Sequence, residues 1–90
     1  MSNVDIQIYI SQIKTFFSEN PGQLIKLIGN INPEVFFNEV EKMSTVNYEK
    51  GEDVQLTNKQ MVSILFKINK GSTKDIVAVE ETKFGKLYLN

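Results

Sequence analysis

The 90-residue chain contains no cysteine, no histidine, no tryptophan and no arginine. Without cysteine there is no disulfide, no thiolate metal site and no Cys nucleophile. Without histidine the commonest general base and the commonest metal ligand are both missing. All ten basic residues are lysines. Lysine presents a point charge and not a planar fork, which disfavours bidentate reading of guanine and fork-like grip on phosphate. No apolar run approaches the length that crosses a bilayer, about 18 residues or more. The opening MSNVDIQIYI lacks a basic start and carries Asp5 and Gln7 within its apolar stretch, so it is not expected to act as a signal peptide. A soluble, cytoplasmic protein is expected.

What is present fits a single domain over residues 1–90, with no room for a second core. A chain this size buries only about 60–65% of its unfolded surface, so its core is small. The net charge is −1, but it is unevenly spread. Residues 1–53 hold four lysines against eight acids, a balance of −4, and residues 54–90 hold six lysines against three acids, a balance of +3. Such asymmetry suits head-to-tail association or an acidic partner; chance in a short chain produces it as readily.

Helical periodicity dominates the first two thirds. Ile6, Tyr9, Ile10, Ile13, Phe16 and Phe17 form one apolar stripe, which predicts a helix over about residues 3–18, opened by Ser2 and Asp5 and leaving Ile8 on the wrong face. In NPGQLIKLIG, Asn20 is placed to cap, Pro21 to take the first helical position and Gly29 to stop a short second helix. In INPEVFFNEVEKM, Asn32 and Pro33 open a third helix that Gly51 ends, with Ile31 and Phe36 as a hydrophobic staple. Its stripe is Phe36, Val40 and Met43, facing away from Glu34, Asn38, Glu41, Lys42, Thr45 and Glu49. Thr57 then caps a fourth helix, Gln60 completes the capping box, and Leu56 staples to Met61.

Beyond Gly71 the pattern changes. DIVAVEE is β-branched, KLYLN alternates, and TKFG between them supplies a turn around Gly85, so a C-terminal hairpin is expected. A lone two-stranded hairpin is marginal in water. It must therefore lie on the helices, pair with another chain, or gain a third strand, for which Asp53–Leu56 is the candidate in this chain. The expected fold class is α+β: four helices, the second short, with the hairpin packed on them.

Catalytic chemistry finds little to use. The available acids and bases are Asp, Glu, Lys and Tyr. Glu80 and Glu81 are neighbours on a strand and point to opposite faces. No phosphate-cradling glycine motif, EF-hand spacing or nucleophile elbow is present. No enzyme activity, catalytic residue, cofactor, metal or small-molecule substrate is expected.

The fourth helix carries the candidate interaction surface. At 100° per residue, Lys59, Ser63, Lys67 and Lys70 fall within about 80° of one another, opposite the core positions Met61, Ile64, Leu65 and Ile68. Val62 and Phe66 widen the apolar arc to about 200°, and Phe66 lies beside Lys59 and Lys70. Either the hairpin covers Val62 and Phe66, or they form a protein-binding or homodimer contact together with Tyr88 and Leu89 at the hairpin edge, where unpaired strand groups recruit another chain. Lysines interleaved with an aromatic also suit stacking on single-stranded nucleic acid, though three lysines supply few phosphate contacts. An extended piece, a helix and a terminal hairpin form part of a winged-helix arrangement, with one helix too few. A nucleic-acid-binding regulator is therefore the alternative to a protein-interaction role.

The segments FFSENPGQLIKLIG, NYEKGEDVQLTNKQMVSIL and TKFGKLYLN resemble small proteins of marine, T-even-like tailed phages. The likeness covers most of the chain through caps, stops and core positions. It implies a small accessory protein acting in the host cytoplasm and supplies no catalytic or binding residue.

Overall fold

A computed structural model describes residues 4–69. They form four helices: α1 over Val4–Glu19, α2 over Pro21–Ile28, α3 over Pro33–Glu49 and α4 over Asn58–Ile68. There is no strand among the described residues, so the described architecture is all-helical and the α+β expectation is corrected. The residues assigned to the hairpin, 75–90, lie outside the described residues, as does Ser2.

The segment 53–56 explains why the expected third strand does not form. Its backbone groups are satisfied by side chains in place of a ladder. Ser44 Oγ donates to the Val54 carbonyl at 2.7 Å. Leu56 N–H donates to the Tyr9 hydroxyl at 3.0 Å, and Gln55 N–H to Asp53 Oδ1 at 2.9 Å. The loop is thereby tied to α3 at one point and to α1 at another.

Local signals set the helix ends. Asn32 Oδ1 accepts from Glu34 N–H at 2.9 Å at the start of α3. At its end Gly51 N–H bonds to the Tyr48 carbonyl and Glu52 N–H to the Asn47 carbonyl. This paired closure requires a left-handed residue, and Gly51 supplies φ +77°. At α4, Thr57 Oγ1 accepts from Gln60 N–H while Gln60 Oε1 accepts from Thr57 N–H, both at 3.1 Å. Asn20 departs from its expected role. Its side chain does not cap α2 but turns back, Nδ2 donating to the Phe16 carbonyl at 2.8 Å. The amide thus satisfies a terminal carbonyl of α1, one of the four that every helix leaves open.

The helices pack through their apolar stripes. Ile6, Tyr9, Ile10, Ile13 and Phe17 of α1 are buried, and Ile8 remains 52% exposed, as its phase on the helix requires. Phe36, Phe37 and Val40 of α3 meet Met61, Ile64 and Leu65 of α4 in the same core, with Leu27 and Ile28 of α2 and Leu56 of the loop. Phe17 stands edge-on to Phe36, ring centroids 6.0 Å apart, and Phe36 contacts Phe37 at 5.4 Å. Lys14 Nζ sits 5.6 Å from the Phe37 ring centroid, where the ring face attracts a cation.

Two polar pairs give the direction of α4 against α3. Asn47 meets Gln60, and Glu39 meets Lys67. Position along α3 falls as position along α4 rises, so the two helices run antiparallel. Asn47 and Ser44 are polar yet buried on α3. The amides of Asn47 and Gln60 pair reciprocally, at 3.1 Å and 2.9 Å, so neither buried amide atom on Asn47 lacks a partner.

Candidate interaction surfaces

α4 divides cleanly by phase. Met61, Ile64 and Leu65 are buried, and Val62 and Ile68 are partly buried against the same core. Lys59, Ser63 and Phe66 look outward. Phe66 is 49% exposed. An aromatic side chain turned this far from the core contributes little to holding the helices together. Lys70, Tyr88 and Leu89, the remaining expected members of the surface, lie outside the described residues.

Lys67 does not stand with Lys59 as an open basic stripe. Its Nζ reaches across to Glu39 Oε1 on α3 at 3.0 Å, and Lys42 Nζ approaches Glu39 Oε2 at 3.5 Å. The hydrogen bond from Lys67 holds the Glu39 carboxyl below its ordinary value of 4.5; partial burial opposes this, and the positive charge of Lys42 adds to the lowering. Glu39 therefore stabilises the fold above about pH 4.5, and that contribution is lost as pH falls through its lowered value. Both lysine side chains are largely exposed, 70% for Lys67 and 74% for Lys42, so water screens the pairs. Glu39→Gln is expected to cost about 0.2–1 kcal/mol at neutral pH. Urea titrations of both proteins should converge in stability as the solution is acidified below the ordinary carboxylate range.

A second feature lies where α1 meets the α3–α4 connection. A cleft of about 520 Å3 is bordered by Asp5, Ile8 and Tyr9 from α1 and by Glu52, Asp53 and Val54 from the loop. Its walls are apolar at Ile8, Tyr9 and Val54. Its rim carries three carboxylates, and no lysine borders it among the described residues. The two tethers already described shape it: Ser44 holds Val54, and Tyr9 holds Leu56. In the sequence, Ile8 is an apolar residue out of phase with its helix, and Glu52 and Asp53 belong to a short connection; neither by itself marks a cleft. The out-of-phase isoleucine was the available signal.

A further hollow, about 510 Å3, is lined among the described residues by Asn38, Glu41, Lys42, Thr45 and Val46. All five belong to α3, so among the described residues a single helix supplies its lining. Among the described residues no group of three or more Asp or Glu is placed to hold a metal ion. No helix among them is long and apolar enough to cross a membrane.

Comparison of the chain with protein-family models, with curated proteins and with solved structures returned no match.

Proposed function

We propose that the chain is a small accessory protein that works by contact with another protein and not by catalysis. Its contact surface is the outward side of α4, centred on Phe66 and flanked by Val62 and Lys59. The observation that carries this reading is the half-exposed Phe66 on a helix whose core face is already filled by Met61, Ile64 and Leu65. Exposed aromatic anchors are what protein interfaces use most, because they contribute a large apolar area at little cost in side-chain entropy. The residue inventory supports the same reading, since the chain has neither histidine nor cysteine to serve as base, nucleophile or metal ligand. The resemblance of the sequence to small tailed-phage proteins supports a role of this kind in a host cytoplasm.

The engagement of Lys67 by Glu39 weighs against the nucleic-acid alternative, because it removes a cation from the expected basic face. That alternative requires single-stranded DNA binding at low salt that Lys59→Glu weakens; the contact reading expects no binding in either protein.

The direct test places a photo-reactive benzoylphenylalanine at position 66 and, as control, at the exposed Glu49 near the end of α3. Irradiation is expected to give discrete protein adducts from position 66 and few from position 49. Equal labelling from both positions would remove the surface from consideration.

A further inference from the structure

We propose that the partner met by the α4 surface is a second copy of this chain, bound head to tail. Phe66 of one copy seats in the acidic cleft between α1 and the α3–α4 loop of the next. The inference rests on the reading of α4 as a contact surface and adds the identity and site of the partner.

The two surfaces are complementary in shape class and in charge. One is a projecting aromatic, 49% exposed, with the exposed Lys59 two turns earlier on the same side of α4. The other is a concavity of about 520 Å3, within the range of roughly 300–1,000 Å3 typical of pockets that enclose small ligands and so ample for one benzyl group. Its apolar wall includes Ile8, itself 52% exposed, which has no place in the core stripe of α1. Covering it with Phe66 removes two exposed apolar side chains from water in one contact. The cleft rim carries Asp5, Glu52 and Asp53 with no lysine among its described neighbours. That matches the excess of acid in residues 1–53 and of lysine in residues 54–90. Among the other exposed large hydrophobics, Ile25, Val35 and Val46 do not line this cleft, and Val46 borders the hollow on α3 where Glu41 is offset by Lys42; singly exposed apolar residues are ordinary.

No residue belongs to both surfaces, so each copy presents a knob and a cleft together. Such a contact is heterologous, and repeated it gives a ring or an open chain. The seat of one aromatic with a few charges is small, placing it among weak interfaces that bury less than about 1,200 Å2. Exposed charges at its edge make it sensitive to salt.

The test is sedimentation velocity on the full chain from low micromolar to millimolar concentration, at low and high salt. Wild type is expected to form species larger than a dimer as concentration rises, and salt is expected to reverse this. Phe66→Asp, which removes the knob, and Ile8→Asp, which spoils the cleft, are each expected to remain monomeric. Mixed together they should form a one-to-one dimer and nothing larger, because one intact knob meets one intact cleft. Both positions are exposed, and Phe66→Ser with Ile8→Ser provides a second pair with the same readout. If Ile8→Asp still dimerises while Phe66→Asp does not, the contact is symmetric through α4; the head-to-tail inference falls and the contact reading stands. A wild type that stays monomeric throughout, as it would if its own residues 70–90 or a different protein occupied the surface, also overturns the inference. In that case the cross-linking at position 66 still judges the contact reading separately. Association that survives in Phe66→Asp runs through another surface and overturns the inference, and the cross-linking again judges the contact reading.

Discussion

Phe36→Ala is expected to lower the unfolding free energy by about 3–5 kcal/mol. Phe36 is fully buried at 0% exposure. It contacts Phe17 of α1 and Phe37 of its own helix, so truncation opens a cavity where α1 meets α3. Its neighbours sit on helices held elsewhere by other residues and can close that cavity only in part. It also occupies the staple position opposite Ile31, which packs on the same core. A domain of this length has a total stability of only about 5–13 kcal/mol, so the variant should lose a large share of its margin. Urea unfolding followed by circular dichroism checks it: the midpoint should fall while the slope stays near that of wild type. Phe36→Leu, which keeps most of the volume, should cost under about 1.5 kcal/mol. Phe66→Ala, at a half-exposed position, should stay within about 0.5 kcal/mol of wild type. A Phe36→Ala protein with an unchanged midpoint would show that the aromatic cluster does not hold α1 to α3.

The second large effect is expected at Gln60. Its side chain belongs to two devices at once. Oε1 accepts from Thr57 N–H in the capping box and from Asn47 Nδ2, while Nε2 donates to Asn47 Oδ1. Gln60→Ala abolishes all three bonds and leaves the Asn47 amide, 3% exposed, without its partner. The N-cap bond from the residue-60 N–H to Thr57 Oγ1 survives the substitution, and an unsatisfied buried polar group costs about 1–3 kcal/mol, so a loss of about 1–3 kcal/mol is expected. Replacing Asn47 as well removes the stranded amide. The double variant Asn47→Ala with Gln60→Ala should therefore be less destabilised than the sum of the singles, with a coupling of about 0.5–3 kcal/mol. Simple additivity in that thermodynamic cycle would mean that the two amides do not act as a pair.

These two sites differ in how they could be read beforehand. Phe36 is visible from periodicity and from its place three residues after Pro33. Gln60 is visible as half of a capping box, because Thr57 and Gln60 lie three residues apart and satisfy one another locally. Its partner Asn47 is thirteen residues away; its phase, seven residues after Val40, puts it on the core stripe of α3, but no local pattern names the group that satisfies its amide there. Ser44 is likewise in phase, four residues after Val40, but its spacing does not show that its hydroxyl is spent on a carbonyl ten residues on. Asn20 misled for a related reason. An Asn before Pro is a strong start signal, yet the same amide also reaches the open carbonyls of the preceding helix, and that use prevailed.

The candidate surface was legible in part. Helical phase alone separates Phe66 and Lys59 from Met61, Ile64 and Leu65, and the structure places them so. Phase also brought Lys67 into the same basic group, and only the approach of α3 diverts it to Glu39. The cleft could not be read at all, because its two sides come from Asp5–Tyr9 and Glu52–Val54, and chain proximity says nothing about such a pairing.

The sequence by itself therefore determined where α2 and α3 begin and end, where α4 begins, and which side of each helix is apolar. Those are local matters: a cap, a staple and a positive-φ glycine act within a few residues. Only the tertiary structure decided that segment 53–56 is a tethered loop and not a strand, and that the described core closes with helices alone. Only it brought Ile8 to the wall of an acidic cleft. The physical reason is the bond from Leu56 N–H to the Tyr9 hydroxyl, spanning 47 positions of sequence. It exists because folding places α1 against the loop, and no local pattern encodes it.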